Sequence, residues 1–185
     1  MKRVSFFAGR PRASQVKQWH LDMRAAVDEL ELKIRDLIAE QAPVPDSVLG
    51  MTSVEVADYF EKARDELDAA SSLMVLAEAE AVLRVDYLSR VHRKGKDPVS
   101  RAFRELHRRK ESRVRLEQDL LETWVSKQED CKAVVSEFRG ALGLRNWLAH
   151  GRYWTPKLGR RYAARDVFEI ADRLFARLSD VAGWA

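Results

Sequence analysis

Arg145, Asn146 and His150 are the residues of this chain whose types and spacing are best suited to chemistry. A guanidinium grips two phosphate oxygens in a fixed fork, an imidazole moves a proton near neutral pH, and an amide can orient either group. Asn146 and His150 are four residues apart and stack one turn above the other on a helix, with Arg145 flanking that face. The chemistry such a set supports is attack at a phosphate. His150 would transfer the proton, Arg145 would stabilise the charge that builds up, and Asn146 would orient the histidine or donate to the phosphate.

The helix that must carry them is legible in Val134, Phe138, Ala141, Leu142, Leu148 and Ala149, which recur at helical spacing, and Gly151 is its stop. No acid lies between Glu137 and Asp166, whereas Arg139, Arg145, Arg152, Lys157, Arg160, Arg161 and Arg165 do. So many cations without a nearby acid point to a phosphate ligand. After Gly151 the chain interleaves rings with cations, so Arg152, Tyr153, Lys157, Arg160 and Arg161 are candidate contacts to bases and phosphates, while Trp154 is read as a cover for the open end of the fold. A second basic run, Arg101 to Arg115, is opposed only by Glu105 and Glu111. Its Arg108 and Arg109 belong either to a solvated face or to a groove for a nucleic-acid backbone. Further upstream, Glu80 and Arg84 have the spacing of a helical ion pair, read first as a solvated face and alternatively as support for Arg145 or His150.

The run Arg-Asn-x-x-x-His, continued as Gly-Arg, resembles the signature of the HEPN superfamily, an Arg followed four to six residues later by a His, in which an Asn commonly follows the Arg. Within that superfamily it is also similar to the RiboL-PSP-HEPN-like branch. The resemblance implies a small all-helical domain and a metal-independent endoribonuclease that cleaves single-stranded RNA. It also implies a homodimer whose two motifs face one composite cleft, with Arg145, Asn146 and His150 as its catalytic set. Toxin, phage-defence and RNA-processing roles all occur in such a family, with an antitoxin protein as partner in the first. In a toxin branch paired with a small nucleotidyltransferase, a tyrosine lies two residues after the histidine. Here Arg152 holds that place and Tyr153 follows, so modification by such a partner is not expected. The competing reading is a non-catalytic HEPN-like module that binds RNA or a nucleotide, or serves as a helical adaptor.

The remaining sequence fits a scaffold for this segment. At 185 residues, 46% of them hydrophobic and 34% charged, with only 8 Gly and 5 Pro, the chain is read as all-α, an antiparallel bundle of about four or five helices, two of them long and protruding. Residues 1–13 read as an N-terminal arm and 14–185 as one domain. An amphipathic helix runs from a cap at Ser14 to about Gln41, with Val16, Trp19, Met23, Val27, Leu30, Ile34, Leu37 and Ile38 on its buried stripe. After Pro43 and Pro45, Thr52 and Glu55 form a capping box for a second helix, whose length predicts a kink at Ser71-Ser72. Asp97-Pro98 opens a third long helix that projects or bends where its stripe fails at Arg109-Lys110, and a last helix spans about Ala164 to Val181. The lone Cys131 reads as a packing residue and, with four scattered histidines, gives no metal-ligand spacing, so neither metal nor cofactor is expected. No apolar run approaches the roughly 18 residues of a membrane span, and a cytoplasmic protein is expected.

Overall fold

The computed structural model describes residues 12–182, without the side chains of Ser112 and of residues 179–182. The expected arm, including Phe6 and Phe7, lies outside the described residues except for Arg12 and Ala13. Arg12 is the N-cap of the first helix, two residues before the expected cap at Ser14. Six α-helices follow, α1 (Ala13–Ala39), α2 (Ser53–Arg93), α3 (Pro98–Lys110), α4 (Glu122–Lys127), α5 (Lys132–Ala149) and α6 (Ala164–Ala182), and no strand occurs among the described residues.

The helix starts are local chemistry. Thr52 Oγ1 accepts from the Glu55 N–H at 3.3 Å while the Glu55 carboxylate accepts from the Thr52 N–H at 2.7 Å, the reciprocal box that opens α2. Asp97 accepts from the Ser100 N–H at 2.9 Å with Pro98 at the first helical position of α3. At the end of α5, Arg152 N–H donates to Trp147 O and Gly151 N–H to Leu148 O. These two bonds close a Schellman stop in which Gly151 takes a φ of 82°.

α2 runs unbroken for 41 residues, and α1, α3, α5 and α6 all pack on it. The kink or break expected at Ser71-Ser72 does not form, and both serines are buried within the packed helix. Ser71 Oγ donates to Leu67 O at 2.8 Å and lies 3.0 Å from His20 Nδ1 of α1. The third stretch divides instead of running on. α3 stops where Glu111 adopts a φ of 49°, and Asp119 then gathers the turn by accepting from Lys110 Nζ at 2.5 Å and from Arg115 N–H at 2.8 Å. A wide π-turn over Leu116–Leu121 leads into α4.

One large apolar cluster fills the space between α2 to α6, with Phe103, Leu120, Trp124, Phe138, Ile170 and Leu174 at its centre. A smaller one, Ile34, Val48, Val56 and Phe60, closes the far tip of the α1–α2 hairpin. The α1 stripe departs from expectation. Val16 and Ile34 are buried, but Trp19, Met23 and Leu30 remain exposed, because α1 packs on α2 alone along most of its length.

Candidate active site

α5 presents the motif at its C-terminal end, with Phe138, Ala141, Leu142 and Leu144 buried beneath it. Arg145 is half-buried against α2. Its Nη2 lies 3.2 Å from the Glu80 carboxylate, which also receives Arg84 Nη2 at 2.9 Å. Its Nη1 donates to Asn146 Oδ1 at 3.2 Å, and its Nε is buried without a partner. One carboxylate between two guanidiniums leaves the group with a net positive charge and fixes the plane of Arg145. The helical Glu80–Arg84 pair exists, and the same carboxylate lies against Arg145.

His150 is the C-cap residue of α5, with its backbone N–H on Asn146 O at 3.1 Å and its ring exposed. The ring is 6.4 Å from that of Trp154, which packs edge-on against Tyr153 at 4.6 Å. Trp147 Nε1 donates to Trp154 O at 2.7 Å and ties this aromatic group to the motif helix. The structure therefore joins Arg145 to Asn146 and His150 to Trp154, with no hydrogen bond between the His150 ring and the other two. Tyr153 is the most open ring of the set, and Trp154, expected as a cover, is itself partly exposed.

The loop of residues 150–163 is held over α5 by small residues. A Cβ added at Gly140 would meet Tyr162 Oη at 2.5 Å, and one at Gly143 would meet Leu158 at 3.3 Å. These glycines, three apart on one helix face, seat the basic loop, and the i, i+3 spacing was the signal available for them in the sequence. Between the loop and α2 lies an open groove of about 1270 Å³, with Arg152, Lys157, Arg160 and Arg161 on one wall and Glu61, Asp65, Glu66 and Asp68 on the other. Arg145, Asn146 and His150 are not part of its lining.

The expectation that these cations lack acids needs correction. Arg139 pairs with Glu122, Arg145 with Glu80, Arg152 with Glu66 and Arg165 with Glu169, and all four acids lie outside the window read from sequence. The hydrogen bond from Arg152 holds the Glu66 carboxyl below its usual range. Lys157, Arg160 and Arg161 have no acid partner among the described residues, and Arg160 lies over the Tyr162 ring at 4.6 Å. On α3, Arg108 and Arg109 both lean on Glu105. A shallower groove of about 550 Å³ runs beside them, between α3 and α4, lined by Arg101, Arg109 and Lys127.

Comparison of the chain with family models, with curated proteins and with solved structures gives no match. Among the described residues no helix is long and apolar enough to cross a membrane, and no cluster of His, Cys, Asp and Glu is arranged to hold a metal ion.

Proposed function

We propose that this protein is an endoribonuclease of the HEPN type that cleaves single-stranded RNA. The observation that carries the reading is the half-buried Arg145, held against Glu80 and beside Asn146, on the helix whose C-cap residue is the exposed His150. In the reaction the ribose 2'-oxygen attacks the adjacent phosphorus and the bond to the 5'-oxygen breaks, giving a 2',3'-cyclic phosphate and a 5'-hydroxyl end. His150 takes or gives the proton at one of those two oxygens, a role worth on the order of 100- to 10,000-fold in rate. Arg145 donates to the non-bridging oxygens as negative charge builds there. Tyr153 offers a face for a base, and Lys157, Arg160, Arg161 and Arg152 meet neighbouring phosphates.

One motif supplies one histidine, whereas attack and departure call for a base and an acid, so a homodimer that shares a composite cleft completes the proposal. The fixed Arg145 and the separate His150 also favour a second reading, an RNA-binding module without turnover. One experiment separates them. A labelled RNA and the same sequence as DNA are incubated with the protein, with and without EDTA, and the product ends are analysed. RNA cleaved to cyclic-phosphate ends with DNA intact supports the enzyme. Bound but uncut RNA supports the module, and cut DNA removes the mechanism, because DNA lacks the nucleophile.

A further inference from the structure

Between residues 93 and 115 ten Lys and Arg are set against Asp97, Glu105 and Glu111 alone, a surplus of seven in a chain of net charge +4. The stretch around the motif is also rich in cations, but there the acids of α2 form the facing wall of the groove. Around α3 the charge stays uncovered. Arg108 and Arg109 share Glu105, Lys110 and Arg115 share Asp119, and Arg101 and Lys127 have no acid partner among the described residues.

The fold gathers these cations. Arg104 Nη1 donates to Gly95 O at 2.7 Å and draws the turn at 93–96, with Arg93, Lys94 and Lys96 exposed, against the start of α3. His107 faces α2, its Nδ1 2.8 Å from Tyr87 Oη. Two residues to either side of it, Glu105 and Arg109 lie on the opposite side of the helix, where with Arg101 they line the groove shared with Lys127 of α4.

The surroundings of the groove select its ligand. Among the described residues between 93 and 131 no large apolar side chain is exposed. A membrane surface takes an apolar edge as well as charge, and a single strand takes rings on which its bases stack, and this side offers neither. A duplex needs only its phosphates met. On the α4 wall, Thr123 Oγ1 donates to Asp119 O at 2.7 Å and Ser126 Oγ to Thr123 O at 3.0 Å, so each hydroxyl has only acceptor capacity left for a ligand, as does Glu105. The 2'-hydroxyls along the wide, shallow minor groove of an RNA helix are donors that such acceptors meet, and DNA lacks them. The 13 residues of α3 extend about 20 Å, a length over which a duplex carries about a dozen phosphates.

We infer that the α3–α4 groove binds the backbone of double-stranded RNA, so that the substrate carries a stem beside the single-stranded segment that is cut. The stem site rests on the RNA reading of the motif, and binding set beside cleavage tells the two apart. Fluorescence anisotropy at about 150 mM salt compares an RNA strand of about 12 nucleotides with the same strand joined to an RNA stem or to a DNA stem of about 12 base pairs. The RNA stem should tighten binding about 10-fold and the DNA stem much less. With Arg101→Gln, Arg109→Gln and Lys127→Gln combined, the strand should bind alike with and without its RNA stem, and the slope of log K on log salt should flatten by about 2 to 3. All three side chains are exposed, so circular dichroism should show the wild-type helix content. No gain from the RNA stem, an equal gain from the DNA stem, or a gain that survives the triple substitution overturns the stem site. Sedimentation with phosphatidylserine vesicles in preference to the RNA stem overturns it as well. A bound stem whose strand stays uncut removes the enzyme and keeps the stem site, whereas a strand cut equally well with and without the stem does the reverse.

Discussion

The Glu80 carboxylate of α2 holds the Arg145 guanidinium of α5 at 3.2 Å and shares itself with Arg84 at 2.9 Å. The arginine of the motif is thus positioned from a helix 65 residues upstream, and its orientation depends on a charge that never touches RNA in the proposed reaction. Removing the charge of a partly exposed ion partner costs on the order of 1 kcal/mol, or roughly 5-fold in rate. Glu80→Gln should therefore lower kcat by that order while KM and helical content change little. A Glu80→Gln enzyme with the kcat of wild type would mean that Arg145 needs no such support.

A second acid works in the opposite sense. Glu66 occupies Arg152, so one cation of the loop is engaged before any RNA arrives. Glu66→Gln should release it, tighten RNA binding several-fold, and steepen the dependence of log K on log salt by about 0.7, the value of one more phosphate contact on a single strand. In an Arg152→Gln background the Glu66 change should have no such effect. Equal slopes for wild type and Glu66→Gln, measured by fluorescence anisotropy across salt, would show that Arg152 does not contact phosphate.

Much of the scaffold was legible because it rests on local rules. The Thr52–Glu55 box, the Asp97-Pro98 start, the Gly151 stop and the apolar stripes of α5 and α6 all involve residues within a turn or two of one another. What escaped was set by distant partners. Glu66, the acid that pairs with Arg152, comes from α2 and no periodicity reveals that pairing, while Glu80 beside Arg145 was legible only as an alternative to a solvated face. Ser71 and Ser72 looked like a weak point because serine competes for backbone bonds, but His20 and the surrounding packing absorb that tendency. The stripe of α1 was read as one buried face although three of its eight residues face outward, since amphipathic spacing shows that a face is apolar and not what covers it.

Acid should loosen the turn between α3 and α4 through Asp119. Burial alone would raise this carboxyl, but Lys110 Nζ at 2.5 Å and the Arg115 N–H at 2.8 Å outweigh it and hold the group below its ordinary value. A depressed carboxyl contributes stability that is present above its unfolded value of about 3.9 and is lost as pH falls through the lower folded value. Asp119→Asn should therefore be less stable than wild type at pH 7, and the two should converge near pH 2. Urea midpoints that differ equally at both pH values would remove Asp119 as the titrating group.

His150 and Arg145 carry the proposed chemistry, and the measurement that tests it most directly is RNA cleavage set beside thermal unfolding for His150→Ala and Arg145→Ala. His150 is exposed at the helix end, and Arg145 contributes nothing to the apolar core. Each variant should lose at least 100-fold in cleavage rate while melting within a few degrees of wild type. Cleavage at the wild-type rate by His150→Ala, or loss of the fold in both variants, would contradict the proposed site.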